Sequence, residues 1–275
     1  MKDCSMTEAP RTNPFDTMLK AYLQWGEPVS RAFARAALDR AGLAPGSAVL
    51  DSCAGAGALA VAAAQEGHRV RGIDISAGML GVLTERLTPF PGSAAEHMDA
   101  LEMIYVDDSF DAAFSVLGVL NFGDAVPAAL RGLVRVTRPG GVIGLVHWAS
   151  TWGAPLFPMM AEAMTRLDDP AVAPLVPLVS DEYMGPAALD AALSQAGCVD
   201  VSTTVHEVAN LLPEPEVAFD ELDSMYLNHE RYRALTDEQR SRLRGLFAEE
   251  VRAARGADGK GAPAVGHVTI GHLPQ

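Results

Sequence analysis

The amino-acid sequence predicts an α/β fold in which helices cover a parallel sheet. Between residues 47 and 149, apolar runs of strand length alternate with longer stretches of helical period, which is the pattern of strand–helix–strand units. Glycines and prolines separate these runs and indicate turns. The 275 residues suffice for one such domain with an additional helical segment.

The first part of this region predicts three strands. Residues 48–52 form a buried strand, which breaks into a Gly/Ala turn and an apolar helix that ends near Gly67. Residues 69–74 form the second strand, and Ser76 is placed to cap the helix that follows. We expect a short third strand near residues 93–97, after the prolines that end this helix.

The second part predicts two more strands. Residues 110–118 are an apolar run that we expect to be the fourth strand, and residues 124–137 have helical period. An Arg-Pro-Gly-Gly turn at 138–141 closes this helix. Residues 141–149 then form the fifth strand.

The segments on either side of this region have a different character. Pro28 lies in the first turn of a predicted helix that ends at Gly42. After the fifth strand, five prolines between residues 155 and 177 are too many for a continuous helix or a central strand. We therefore expect a lid or an insertion there.

Regular structure is predicted again from about residue 185 onward. A helix near 185–196 precedes a strand at 199–208, in which polar and apolar residues alternate. Two acidic helical segments follow, and Thr236 and Gln239 have capping-box spacing at the start of the second. A last strand near 264–271 can pair back onto the sheet.

The composition disfavours several classes of partner. The chain has 21 Lys and Arg against 35 Asp and Glu, a net charge of −14, which repels nucleic acids and anionic membranes. No apolar run approaches the roughly 20 residues of a membrane span. The first ten residues lack the apolar stretch of a secretory signal, and the three cysteines lack the spacing of a zinc site. We expect a cytoplasmic protein with a small-molecule substrate and no metal, and its oligomeric state stays open.

The end of the first strand carries a loop of small residues. Asp51 is followed by Ser, Cys, Ala and two glycines up to Gly57, so the backbone can turn sharply and approach a ligand at the start of the next helix. Asp74 closes the second strand 17 residues after Gly57, where a carboxylate can accept two hydrogen bonds from a ribose diol. This pairing predicts an adenosine-containing cofactor.

A nicotinamide cofactor fits the loop poorly. A dinucleotide site favours G-x-G-x-x-G, but position 53 is Cys and position 60 is Ala. The chain also lacks the Tyr-x-x-x-Lys pair of many dehydrogenases, since none of its three lysines follows a tyrosine at that spacing.

These motifs resemble those of the class I S-adenosylmethionine-dependent methyltransferases, and the resemblance covers residues 47–149 well. VLDSCAGAG is similar to the family's first loop, with Cys53 in a small-residue position. The other similar segments are GIDIS (72–76), MDALEM (98–103), the fourth strand (109–122) and the helix, turn and fifth strand (135–148) of the small-molecule branch.

The resemblance implies a Rossmann-like sheet of order 3-2-1-4-5-7-6 with strand seven antiparallel. N-terminal helices and a helical, proline-rich lid would flank it. We divide the chain into an N-terminal helical cap (1–46), a cofactor-binding core (47–149), a lid or insertion (150–184), and a C-terminal part that completes the sheet and carries acidic cap helices (185–275).

The resemblance also implies S-adenosyl-L-methionine as the cofactor, with S-adenosyl-L-homocysteine as the product. Asp51 would organise the ammonium group, Asp74 the ribose, and Ile75 the adenine face. The full set of implied cofactor-binding residues is Asp51, Cys53, Gly55, Gly57, Asp74, Ile75, Asp99, Ala100 and Leu117.

Residues near the strand ends are candidates for the acceptor side. His147 lies at the carboxyl end of the fifth strand and is the first candidate for a general base, with a structural histidine as the alternative. The predicted substrate-binding residues are Tyr22, Trp25, Asn121, Phe122, Trp148, Trp152 and Phe157.

We therefore expect methyl transfer to an oxygen, nitrogen or carbon atom of a small, largely apolar metabolite, in natural-product biosynthesis. Three alternatives stay open. The cofactor can be held as a scaffold for a cyclisation or rearrangement, since fold and function separate. The chain can be a regulatory binding module, or, less favoured, a nicotinamide oxidoreductase.

Overall fold

A computed structural model of the chain describes residues 13–177, 179–255, 259 and 261–275. The first ten residues, in which no secretory signal is predicted, lie outside the described residues, and so does the start of the predicted N-terminal cap up to residue 12.

Seven strands form one sheet: β1 (Ala48–Ser52), β2 (Arg69–Asp74), β3 (Ala94–His97), β4 (Phe110–Val116), β5 (Thr137–Trp148), β6 (Val199–Leu211) and β7 (Gly261–His272). Their order is β3-β2-β1-β4-β5-β7-β6. The first five strands are parallel, and β7 is antiparallel to both of its neighbours. The predicted fold class, strand order and strand direction are confirmed.

The α-helices of the described residues are α1 (Pro14–Ala21), α2 (Glu27–Ala41), α3 (Ala58–Gln65), α4 (Ala77–Leu87), α5 (Val126–Val136), α6 (Leu156–Thr165), α7 (Pro186–Gln195), α8 (Pro215–Tyr226), α9 (Glu230–Arg233) and α10 (Asp237–Ala254). A π-helical turn, Tyr22–Gly26, joins α1 to α2. Within the described part of the chain, every helix is too short or too polar to cross a membrane.

The helix ends follow the signals in the sequence. The Ser76 hydroxyl accepts the Met79 N–H at 3.1 Å at the start of α4. Thr236 and Gln239 form a reciprocal capping box at the start of α10. Gly42 has a φ of +57° directly after α2, the left-handed conformation that ends many helices.

Two segments add detail to the sequence prediction. A helix, α6, forms inside the proline-rich region, because Pro158 lies in its first turn, where a missing N–H breaks no helical bond. β5 begins at Thr137, earlier than predicted, but its pairing with β4 jumps from Thr137 to Val142. The Pro-Gly-Gly turn therefore forms an interruption within the strand.

Apolar side chains cover both faces of the sheet. On one face, α2, α3 and α4 pack on β1, β5 and β7, with Phe33 and Leu83 fully buried. On the other face, α5 and α7 pack with Leu133 and Leu189 buried. Thus α2 lies in the layer against the sheet, whereas α1 packs elsewhere.

A third apolar cluster, which we call the apolar cap, joins α1, α6, α8, α9 and α10. α6 follows β5, α8 follows β6 and α10 precedes β7. Because β6 runs in the direction of β5 and β7 runs opposite, all three connections leave the sheet at the carboxyl edge of the parallel strands. The cap therefore lies at the edge where α/β sheets bind ligands.

Candidate active site

The crevice between the ends of β1 and β4 is the point at which the strand order reverses. Such switch points hold ligands in open α/β sheets. The Ser115 hydroxyl at the end of β4 donates to the Ser52 carbonyl at 2.8 Å. A Cβ added at Gly118 would lie 2.5 Å from the Cβ of Cys53. The loops after β1 and β4 are therefore in direct contact.

The loop after β1 turns on residues with positive φ. Cys53, Gly55 and Gly57 have φ values of +61°, +53° and +95°, a region that residues other than glycine rarely adopt. A Cβ at Gly57 would lie 2.4 Å from a methyl carbon of Leu83. Burial, with the charge of Asp74 nearby, raises the pKa of the Cys53 thiol to about 12, so the thiol is neutral and fills space in this tight turn.

Two carboxylates hold this loop. The Asp74 carboxylate accepts the Gly55 N–H at 2.8 Å on one oxygen and the Ser76 N–H at 2.9 Å on the other. The Asp51 carboxylate, in a residue that is 1% exposed, accepts the Ala60 N–H at 2.9 Å. Burial, with the charge of Asp74 as a lesser cause, raises the pKa of Asp51 to about 7. A cation beside Asp51 would favour its charged form.

An apolar side chain lies open to solvent beside the Asp74 carboxylate. Ile75 is 51% exposed, which suits a surface on which a ring can pack. The Met98 N–H donates to the Asp74 carbonyl at 3.1 Å, so the next residues are held near the end of β2. Among them, Asp99 is exposed and Ala100 is buried. The structure thus brings the predicted ribose-binding and adenine-binding residues to one edge.

The chain after β4 is pinned to this edge as well. Leu117 has a φ of +57°, and its N–H donates to the Val146 carbonyl at 3.0 Å. The Asn121 side-chain amide donates back to the carbonyls of Leu117 and Gly118 at 2.9 and 3.2 Å. Phe122 is half-buried and packs with the α5 side of the sheet. Asn121 therefore shapes the loop, and Phe122 packs away from the apolar cap.

The π-helical turn brings Tyr22 to the loop after β1. The Tyr22 hydroxyl donates to the Ser30 hydroxyl at 3.3 Å and lies 3.9 Å from the position of a Cβ at Gly55. Burial raises the pKa of Tyr22 to about 12. Trp25, in the same turn, packs against the apolar cap, and its carbonyl accepts the Asn210 amide at 3.0 Å. This turn therefore connects the cap to the loop after β1, residues 53–57, which we call the glycine-containing loop.

His147 is fully buried near the carboxyl end of β5. It lies directly opposite His267 of β7, and neither of its ring nitrogens has a hydrogen-bond partner among the described residues. Burial, with the charge of His267 as a lesser cause, lowers the pKa of His147 to about 4. The ring is therefore neutral at physiological pH.

The remaining aromatic candidates separate into two groups. Trp152 and Phe157 pack in the apolar cap, where the Phe157 ring meets that of Tyr226 edge-on at 5.7 Å between centroids. Trp148 packs edge-on against Phe33 at 5.8 Å, in the layer between α2 and the sheet. Trp152 and Phe157 share a cluster with Trp25, and Trp148 does not.

Comparisons with known proteins agree with this geometry. A family described as a methyltransferase domain matches residues 49–141. A demethylmenaquinone methyltransferase of Corynebacterium urealyticum is 31% identical over 192 residues, which cover 67% of this chain and 80% of that protein. The chain belongs to the class I S-adenosylmethionine-dependent methyltransferases.

Two further matches are relatives of this chain. The demethylmenaquinone methyltransferase of Beutenbergia cavernae is 34% identical over 145 residues, or 51% of this chain, and the match spans 59% of that relative. The solved structure of Haemonchus contortus phosphoethanolamine N-methyltransferase 2 with S-adenosyl-L-methionine covers 88% of this chain and 52% of that chain, at 20% identity and a TM-score of 0.53. The structural likeness shows the shared fold.

The residues of this site fit the family's cofactor, S-adenosyl-L-methionine. A carboxylate has about four acceptor positions, and Asp74 uses two of them for backbone N–H groups. Two positions are left for a ribose diol. Ile75 offers an exposed apolar surface next to them, and the buried Asp51 carboxylate offers a partner for an ammonium group.

Three contacting residues near the site were not predicted from the sequence. The Asp16 carboxylate of α1 accepts the Ser76 hydroxyl at 2.6 Å and the Gly78 N–H at 2.9 Å, directly beside Asp74. Glu27 of α2 pairs with Arg86 of α4. In the sequence these look like ordinary polar residues of helix termini and surfaces, because their partners lie about 60 positions away.

Proposed function

We propose that the protein transfers a methyl group from S-adenosyl-L-methionine to an oxygen, nitrogen or carbon atom of a small, largely apolar metabolite. The observation that carries this proposal is the apolar cap at the carboxyl edge of the sheet. Its neighbour Tyr22 lies against the glycine-containing loop. An acceptor between cap and loop would meet apolar side chains and stay close to the cofactor's methyl group.

The chemistry requires mainly positioning. When bound, the cofactor would supply a sulfonium methyl group as the electrophile, and S-adenosyl-L-homocysteine would be the leaving product. Holding the acceptor in line at roughly 3 to 3.5 Å contributes several kcal/mol through proximity alone. In this chain, Asp74 and Asp51 would fix the two ends of the cofactor, and the apolar cap would exclude water and hold the acceptor.

Whether the reaction needs a base depends on when the acceptor loses its proton and how acidic that proton is. A pKa of about 4 leaves His147 unprotonated but weakly basic, which suits an acceptor that is itself acidic. An amine acceptor needs no base during attack and releases its proton afterwards. The role of His147 as a base stays a prediction.

The class of acceptor is supported by charge and by the relatives. The net charge of −14 disfavours a nucleic acid. The two curated relatives described above are named for demethylmenaquinone, and we carry over only the class of a small molecule. Natural-product biosynthesis and a cytoplasmic location stay predictions from the sequence.

The test is incubation of the full chain with methyl-labelled S-adenosyl-L-methionine and a panel of small phenols, quinols, enols and amines. We expect S-adenosyl-L-homocysteine and a labelled product to form in equal amounts with at least one apolar acceptor. Conversion of an acceptor into a rearranged, unlabelled product without S-adenosyl-L-homocysteine would favour the scaffold alternative. Binding of NADH but not of S-adenosyl-L-methionine would favour the oxidoreductase.

A further inference from the structure

Arg86 of α4 connects the glycine-containing loop to α2. One guanidinium nitrogen, Nη1, donates to the Ala56 carbonyl at 2.8 Å and also to Glu27 Oε1. The second nitrogen, Nη2, donates to Glu27 Oε2 at 3.1 Å. The guanidinium thus donates hydrogen bonds to both oxygens of the Glu27 carboxylate and to one loop carbonyl.

The burial of this group shows that the contact is more than a surface ion pair. The Glu27 side chain is 2% exposed and the Arg86 side chain is 27% exposed. A buried carboxylate is tolerated only when it is paired and hydrogen-bonded, and the planar guanidinium supplies both oxygens with a donor at once. Glu27 therefore fixes the direction in which Arg86 points.

The carbonyl that Arg86 holds belongs to Ala56, in the middle of the glycine-containing loop. Ala56 lies between Gly55 and Gly57, whose φ values are +53° and +95°. Glycines in this region can adopt other backbone conformations at little energetic penalty. Within the loop, the Gly57 N–H donates to the Ala54 carbonyl at 2.8 Å, whereas the Ala56 carbonyl is held by a contact with a side chain. Arg86 provides that contact from outside the loop.

We propose that Arg86 is a positioning residue for the amino-acid end of the cofactor, and that Glu27 acts through it. This inference rests on the proposed cofactor site. Without Arg86, the Ala56 carbonyl in the loop that faces the methionine part of the cofactor loses its fixed orientation. The adenosine end would keep its partners, since Asp74 is held by the Ser76 N–H and Ile75 stays exposed beside it.

The test compares two ligands that differ in the amino-acid end. S-adenosyl-L-homocysteine carries that end, whereas methylthioadenosine has the adenosine part alone. For Arg86→Ala, we expect the Kd of S-adenosyl-L-homocysteine, measured by isothermal titration calorimetry, to rise about 10- to 100-fold, the effect of losing charge-assisted hydrogen bonds. The Kd of methylthioadenosine should stay within about twofold. Arg86→Lys, which keeps the charge but loses the two-pronged geometry, should show a smaller change of the same kind.

Arg31→Ala is the matched control. Arg31 pairs with the same Glu27 carboxylate at 3.2 Å, but its side chain is 57% exposed, and we expect unchanged affinity for both ligands. If Arg86→Ala fails to fold, the same two affinities are compared in Arg86→Lys and Glu27→Gln. Equal weakening of both ligands in the folded variants would show a merely structural role and overturn the proposal, as would unchanged affinity for both. Failure of the wild-type chain to bind S-adenosyl-L-homocysteine would instead overturn the proposed cofactor site.

Discussion

Two regions of this protein are built in different ways. One is the cofactor side, which comprises Asp51, Asp74 and the glycine-containing loop, and the other is the apolar cap. On the cofactor side, backbone N–H groups meet carboxylates close by in the sequence, as with Ala60 and Asp51, nine positions apart, or Gly55 and Asp74, nineteen apart. In the cap and the turn that packs against it, the contacts join distant segments: Tyr226 donates to the Leu156 carbonyl, 70 positions away, and Asn210 of β6 to the Trp25 carbonyl, 185 positions away. The carboxylates of the first side thus bind backbone nearby in the sequence, to which Asp16 and Glu27 add contacts about 60 positions away, whereas the cap depends on long-range packing.

This difference predicts that substitutions on the two sides have separable effects. Replacing the carboxylates of the cofactor side should alter cofactor affinity more than stability, and changes in the cap should do the reverse. The largest effect is expected at Asp74. Asp74→Ala should weaken S-adenosyl-L-homocysteine binding by roughly 30- to 1000-fold, or about 2 to 4 kcal/mol, because it removes two charge-assisted bonds to the ribose.

Calorimetric titration measures this effect. Asp74→Asn tests the same position with less disturbance of the loop, since its amide oxygen can still accept one of the two backbone N–H groups. The exposed Asp124 gives a control, Asp124→Ala, with unchanged affinity. An Asp74→Ala variant that binds as tightly as the wild type would remove the ribose assignment.

Replacing His147 tests the methyl-transfer step separately from cofactor binding. If it is the base, His147→Ala should lower the single-turnover rate of methyl transfer by about 100-fold or more, with cofactor affinity unchanged. His206→Ala, on β6, serves as the control for loss of a strand histidine. A normal single-turnover rate in His147→Ala would assign the ring a structural role.

Gly57 tests whether the loop conformation itself is required. Gly57→Ala combines a φ of +95° with a methyl group 2.4 Å from Leu83, and should lower the free energy of unfolding by about 2 kcal/mol. Gly81→Ala, in α4 with open space around it, should raise that free energy by about 0.5 to 1 kcal/mol. Urea denaturation measures both, and equal effects of the two substitutions would contradict the account.

The raised pKa of Asp51 predicts that cofactor affinity depends on pH. Its raised pKa of about 7 means that the free protein holds a proton there below pH 7, whereas an ammonium group nearby favours the carboxylate. Binding therefore releases a proton, and affinity should rise up to about tenfold per pH unit as the pH increases toward 7. Titrations in buffers of different ionisation enthalpy detect the proton. Asp51→Asn should abolish the pH dependence, and a wild-type affinity independent of pH would refute the role of Asp51.

The smallest effect is expected from the cap. Tyr226 is fully buried and its hydroxyl donates to the Leu156 carbonyl at 3.1 Å. Tyr226→Phe removes this hydrogen bond, so the free energy of unfolding should fall by about 1 kcal/mol. The Kd of S-adenosyl-L-homocysteine should not change. A loss of cofactor affinity larger than the loss of stability would show that the two sides are not separable.

The same contrast explains what the sequence could and could not predict. The strands, and the loop and acid that end them, were predictable because each signal is local: an apolar run, then small residues, then an acid at the end of the next strand. The resemblance implied a helical, proline-rich lid, but the bounds of α6 were not predicted, because the prolines were weighed without their position within the helical turn. The π-helical turn at Tyr22–Gly26 has no local signal that distinguishes it from the α-helices around it.

Contacts between distant segments were beyond sequence reasoning. The pairing of His147 with His267 depends on the register of two antiparallel strands, and Glu27 and Arg86 meet only because α2 and α4 pack on the same face of the sheet. Trp148 and Trp152 are four positions apart, yet they pack in different clusters, because the chain leaves β5 between them.

The central claim is that the carboxyl edge of β1 and β2 binds an adenosine cofactor with an amino-acid end. Calorimetric titration of the wild-type chain with S-adenosyl-L-homocysteine tests it most directly. The account predicts saturable binding of one ligand per chain. The absence of any binding to the folded protein, at ligand concentrations far above those that saturate ordinary cofactor sites, would contradict it.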